Sequence, residues 1–99
     1  MDKTDYLEKF SLKNKVAYVT GAAGLLGSEI SSALAQAGAE TIILDVEDKK
    51  GKELESKLKK AGLKAHYEQF DVADIQNIDD NCQNLLKKYK SMDIWVNCA

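Results

Sequence analysis

The sequence has no proline, one histidine, two cysteines and almost no net charge, and each shortage closes off a class of protein. Without proline the usual marks of a linker are missing, and no internal boundary divides the 99 residues. That length holds one real core but not two. Cys82 and Cys98 fall in no Cys-x-x-Cys or Cys/His spacing, and a lone imidazole builds no metal cluster. Reduced, buried thiols in a cytoplasmic protein are the expectation. A formal charge of -2 provides no basic field, which argues against a nucleic-acid partner. No apolar run reaches the roughly 18 residues that a bilayer span needs, so no membrane segment is expected. Met1-Asp2-Lys3-Thr4-Asp5 lacks the apolar stretch of a secretory signal. There is no repeat and no low-complexity segment.

What remains is an alternation of two patterns. Short apolar runs occur at Val16–Thr20, Thr41–Leu44 and Ile94–Val96. They lack an in/out rhythm, which suits strands covered on both faces of a parallel sheet. Ala65–Phe70 mixes polar and apolar residues and reads as an edge strand. Between the runs lie helical stripes. Leu26, Ile30, Leu34 and Ala37 form one that stops at Gly38; Leu54, Leu58 and Ala61 form a second that stops at Gly62. Ile75, Ile78, Cys82, Leu85, Leu86 and Tyr89 form a third behind Asp74 as N-cap. Four strands alternate with three helices, which forces right-handed crossovers and an α/β fold. The expected form is a doubly wound Rossmann-type parallel sheet with strand order 3-2-1-4. A fourth strand at Asp93–Asn97 would leave one flank bare, exposing Ile94, Trp95 and Val96. The domain therefore reads as incomplete at its fourth strand and prone to associate through that edge.

The first strand runs into Gly21-Ala22-Ala23-Gly24-Leu25-Leu26-Gly27 and then a helix. Here chemistry explains the residue types. One glycine makes the turn out of the strand, a second lets backbone approach a diphosphate, and a third lets helix and strand pack closely. A diphosphate would rest on the amides and positive dipole of the helix start, against Gly21, Ala23, Gly24, Leu25, Leu26 and Gly27. A glycine-rich turn alone is a weak signal; strand before and helix after are the context it requires. Asp45 ends the second strand, 24 residues beyond Gly21. A carboxylate there accepts hydrogen bonds from ribose hydroxyls and repels a 2′-phosphate, which favours NAD over NADP. The bland alternative is a turn or capping aspartate.

Taken with Phe10-Ser11-Leu12-Lys13-Asn14-Lys15-Val16, Thr20-Gly21, Asp71-Val72 and Asn97-Cys98-Ala99, these residues resemble the N-terminal half of the short-chain dehydrogenase/reductase family. The resemblance runs from about Phe10 to Ala99. It implies that Asp71 hydrogen-bonds the adenine amino group with the Val72 backbone beside it. It also implies that Asn97, Cys98 and Ala99 support the sheet and line the adenosine ribose. Asp71 could instead cap the following helix. Two departures stand out. The second glycine is Gly24, where the common short form of the family places it at the position of Leu25, a spacing shared with the extended branch of nucleotide-sugar epimerases and dehydratases. The family's catalytic Ser and Tyr-x-x-x-Lys pair are absent.

No other residue makes good that absence. Tyr6 meets Phe10 rather than a lysine four residues on; Tyr67 and Tyr89 read as packing residues, and His66 as exposed. Nothing basic adjoins Cys98, and the lysines from Lys49 to Lys64 alternate with acids on a solvated helix face. The resulting expectation is the cofactor-binding half of an NAD-dependent oxidoreductase. The full-length protein would be a homo-oligomer that moves hydride between nicotinamide and a carbonyl or alcohol substrate, and the 99 residues alone would be inactive. A nucleotide-sugar epimerase, a non-enzymatic NAD-binding module and another Rossmann ligand are the alternatives.

Overall fold

In the computed structural model, described over residues 9–99, four parallel strands form one sheet in the order β3-β2-β1-β4. This is the expected doubly wound arrangement. The strands are β1 (Val16–Thr20), β2 (Glu40–Asp45), β3 (Ala65–Gln69) and β4 (Ile94–Asn97), separated by helices α1 (Leu25–Gln36), α2 (Asp48–Lys60) and α3 (Ile78–Tyr89). The readings made for Tyr6 and the extreme N-terminus lie outside the described residues.

β1 is buried along its whole length because it has a strand on each side and helices above and below. Successive side chains go to opposite faces. Val19, Ile43 and Ala65 pack with Ala35 of α1 and Leu54 and Leu58 of α2. Tyr18, Ile42 and Leu44 pack with Leu85 of α3 and with Phe70. Both faces of the sheet are therefore apolar, which is why the strands carry no alternating pattern.

The structure shifts three of the helical readings. In α1 the buried residues are Gly27, Ser31 and Ala35, flanked by Ile30 and Leu34, while Leu26 is 66% exposed and Ala37 is the C-cap. The helix lies so close to β1 that only small residues fit between them, and the larger ones straddle the contact. The segment before α3 is a separate 3-10 turn, Ile75–Asn77, with Asp74 at its N-cap position, while Asn77 holds the N-cap position of the helix proper; neither makes a side-chain capping bond. The Asp74 carboxylate accepts from the Asn77 side-chain amide at 3.1 Å instead of from backbone. Ile75 and Leu86 consequently fall on the exposed side, leaving Ile78, Cys82, Leu85 and Tyr89 as the packed stripe.

At the sheet's flanks, His66 is half-buried rather than exposed. Its ring lies 5.4 Å from that of Tyr89, and Nε2 is 3.8 Å from Glu40. Ile94, Trp95 and Val96 are also half-buried. Trp95 stacks on Tyr18 at 5.8 Å and meets Phe70 edge-on at 6.0 Å.

Candidate nucleotide-binding site

Parallel pairing brings the C-terminal ends of all four strands to one rim. Thr20 is in register with Leu44 and Asn97, and Asp45 with Gln69. At that rim a cleft of about 140 Å³ is lined by Gly21, Asp45, Val46, Phe70, Asp71, Val72 and Ala99. Five residues singled out in the sequence thus come together from four separate loops.

The glycine loop is shaped by contacts that only glycine permits. Gly21 has φ +62°, and a Cβ there would lie 2.8 Å from the Ala99 nitrogen, so the loop and the end of β4 nearly touch. A Cβ on Gly27 would fall 2.1 Å from the Gly21 carbonyl oxygen, which lets α1 seat against the turn. Gly24 differs. A Cβ there would meet only the Gly21 oxygen, at 3.3 Å, and the backbone angles are ordinary. The protein's own packing barely requires a glycine at this position. Gly24 is the N-cap of α1 and caps it with no side chain, leaving the helix start open at the mouth of the loop. Leu25 and Leu26 project outward there, 90% and 66% exposed.

Asp45 is 8% exposed, and each of its carboxylate oxygens accepts one backbone N–H. Its Oδ2 accepts the Ala23 N–H at 2.9 Å and its Oδ1 accepts the Glu47 N–H at 3.0 Å. Its carbonyl oxygen accepts the Phe70 N–H at 3.1 Å and lies 2.9 Å from the Tyr67 hydroxyl. The carboxylate thus serves as turn acceptor and crevice wall together, since each oxygen keeps a further lone pair. Asp71 is exposed and accepts the Ala73 N–H at 2.9 Å, a local turn that also leaves lone pairs free.

Asn97 acts as a strut. Its Oδ1 accepts the Thr20 hydroxyl and the Trp95 indole N–H, both at 2.9 Å. The Cys98 N–H donates to the Thr20 carbonyl at 3.1 Å. Cys98 packs with the core beneath α1, and Ala99, not Cys98, lines the cleft. Three contributors escaped the sequence reading. Val46 and Phe70 form walls of the cleft, and Tyr67 reaches the Asp45 carbonyl from β3. Of these only Val46, an apolar residue next to a site carboxylate, left a sequence signal.

None of the described tyrosines is suited to proton transfer. Burial, reinforced by neighbouring carboxylates, raises the hydroxyls of Tyr18, Tyr67 and Tyr89 above the ordinary tyrosine range. A tyrosine acting as acid/base near neutral pH needs the opposite shift. Among the described residues there is no group of three or more His, Cys, Asp or Glu that could hold a metal, and no helix long and apolar enough to cross a membrane.

The model of the short chain dehydrogenase family matches residues 15–99. This chain belongs to that family. Within it, an oxidoreductase of Bacillus subtilis, YxjF, is 35% identical over 88 residues, which cover 89% of this chain and 34% of that protein. Pig carbonyl reductase [NADPH] 1 is 33% identical over 90 residues, 90% of this chain and 31% of the reductase. The crystal structure of 2-keto-3-deoxy-D-gluconate dehydrogenase from Streptococcus agalactiae superposes with a TM-score of 0.86 at 34% identity, covering 99% of this chain and 37% of that one. The chain spans about a third of the length of these short-chain dehydrogenase relatives.

Proposed function

We propose that this chain is the cofactor-binding part of an NAD(H)-dependent oxidoreductase that transfers hydride between nicotinamide and a carbonyl or alcohol carbon of a small molecule. The observation that carries the reading is Asp45. It stands at the tip of β2, hydrogen-bonded to the glycine loop, and lines the cleft. Adenine would lie between Val46 and Val72 with its amino group toward Asp71, and the adenosine ribose hydroxyls would donate to Asp45. The diphosphate would occupy the space that Gly24 leaves open, over the uncapped start of α1. Asn97, through Thr20, holds β4 and hence Ala99 against Gly21. Bound there, the cofactor supplies hydride chemistry of its own; the residues here grip its adenosine end.

Cofactor choice follows from charge. A relative named for NADPH shows that the family scaffold accepts the phosphorylated form. In this chain the crevice presents Asp45, with Glu47 and Asp48 just beyond, and the 99 residues contain no arginine to pair a 2′-phosphate. The substrate would be a small carbonyl or alcohol compound, as the dehydrogenase and reductase relatives suggest. A homo-oligomer is the form that membership of the family implies. A cytoplasmic location fits the two unpaired cysteines. Calorimetric titration of the naturally produced polypeptide with NAD and NADP tests the core of this reading. NAD should bind at least about tenfold more tightly, a difference of roughly 1.4 kcal/mol; equal binding, or a preference for NADP, refutes it.

A further inference from the structure

Tyr67 stands on β3, two strands away from the glycine loop, yet its hydroxyl reaches the turn that carries the ribose acid. The oxygen is 2.9 Å from the Asp45 carbonyl and 2.6 Å from Asp48 Oδ1. Asp48 opens α2, so one phenol joins the last residue of β2 to the first turn of the following helix. The ring is locked from the other side by Gly51, where a Cβ would fall 2.1 Å from the tyrosine Cε1. A glycine inside a helix costs about 1 kcal/mol relative to alanine, and the room it gives this ring accounts for its presence. The Tyr67 backbone is fixed as well, its N–H donating to Glu55 Oε2 at 2.6 Å.

Between Asp45 and Asp48 lie only Val46 and Glu47. Val46 lines the cleft, and Glu47 donates its N–H to the Asp45 carboxylate. Pinning both ends of this turn fixes where the carboxylate stands. We infer that Tyr67 is a positioning residue for dinucleotide choice: by clamping the β2–α2 turn it holds the Asp45 carboxylate toward the ribose hydroxyls and against a 2′-phosphate. This rests on the nicotinamide-binding reading above.

The test uses the naturally produced polypeptide and two titrations, with NAD and with NADP, for each of four proteins. Tyr67→Phe removes one hydroxyl. With one hydrogen bond lost, NAD should bind about fivefold more weakly and its advantage over NADP should shrink about threefold or more. Asp48→Ala, an exposed change, should shift both quantities the same way. Asp48→Asn loses the same charge but keeps an acceptor for the phenol, and should stay closer to wild type than Asp48→Ala, which separates the hydrogen bond from simple charge removal. Thermal unfolding of each variant reports whether the fold is kept. A merely structural tyrosine would lower the unfolding temperature and leave the NAD/NADP ratio unmoved, and that outcome overturns the inference. Identical behaviour of the Asn and Ala variants overturns it too. If the unaltered protein binds neither dinucleotide, the nicotinamide reading itself falls and takes this one with it.

Discussion

The Ala23 amide and the Asp45 carboxylate, 22 positions apart in sequence, meet at 2.9 Å and fasten the glycine loop to the tip of the neighbouring strand. The contact makes a single acid responsible for two things, the shape of the loop and the polarity of the crevice. Replacing it by asparagine separates them. The amide can accept one of the two backbone N–H groups but presents a donor to the other, and it carries no charge. Hydrogen bonds to charged groups contribute roughly 1.5–3 kcal/mol, so Asp45→Asn should weaken NAD binding about 10- to 100-fold, with NADP affected much less. Titration calorimetry reads both. Equal loss for the two dinucleotides would mean that Asp45 only shapes the loop.

The glycines of the loop should respond in opposite ways. Gly27→Ala puts a Cβ 2.1 Å from the Gly21 carbonyl oxygen, so α1 must lift from β1. Overpacking of this kind costs about 1–3 kcal/mol, more than alanine returns as a better helix former. Gly24→Ala asks the Gly21 oxygen to give way by only a few tenths of an ångström. It should leave stability within about 1 kcal/mol of wild type while NAD affinity drops tenfold or more, because the methyl would occupy the place proposed for the diphosphate. Urea unfolding and NAD titration on both variants check the contrast. A Gly24→Ala protein that binds NAD normally would remove the diphosphate from this loop.

Much of this was legible in the residues themselves. The run Val16–Thr20 announced a central strand, because only a strand covered on both faces tolerates five apolar or small residues in succession. Gly21 and Asp45 announced the cleft by their spacing. The α1 stripe was legible only in part. Periodicity finds large apolar residues, whereas the close seat on β1 selects small ones, so Gly27 and Ser31 were buried without a hydrophobic signal. Asp74 shows a different limit: it has the chemistry of a cap, but its carboxylate is taken by the Asn77 side chain. Tyr67 could not be found from local pattern at all. Its reach to Asp45 and its fit over Gly51 depend on the register of β3 with β2 and on the placement of α2.

Thr20 joins the ends of β1 and β4 through its side chain. The residue is 1% exposed, and its hydroxyl donates to Asn97 Oδ1 at 2.9 Å. Valine has nearly the same shape and no proton to give. Thr20→Val should therefore destabilise the protein by about 1–2 kcal/mol, since a part-buried hydrogen bond is lost while packing is kept. The Trp95 indole still satisfies Asn97, which holds the loss to that range. Urea unfolding measures it. A stability equal to wild type would show that β4 is held by its backbone ladder alone.

At the opposite end of the sheet, Asp93 ties the start of β1 to the approach of β4. Its Oδ2 accepts the Val16 N–H at 2.8 Å and the Ser91 hydroxyl at 2.7 Å. Those two bonds, the backbone one foremost, hold the carboxyl below the usual aspartate range, with Lys15 adding to the effect. A carboxylate whose folded value is depressed stabilises the fold fully above its unfolded value, near about 3.9. That contribution fades as pH falls through the lower, folded value. Asp93→Asn imitates the protonated acid. Unfolding measured in parallel on the two proteins should show wild type the more stable at pH 7, the gap closing as the pH drops below about 4. A gap that stays constant or widens with acid would mean that the charge on Asp93 contributes nothing to the Val16 contact.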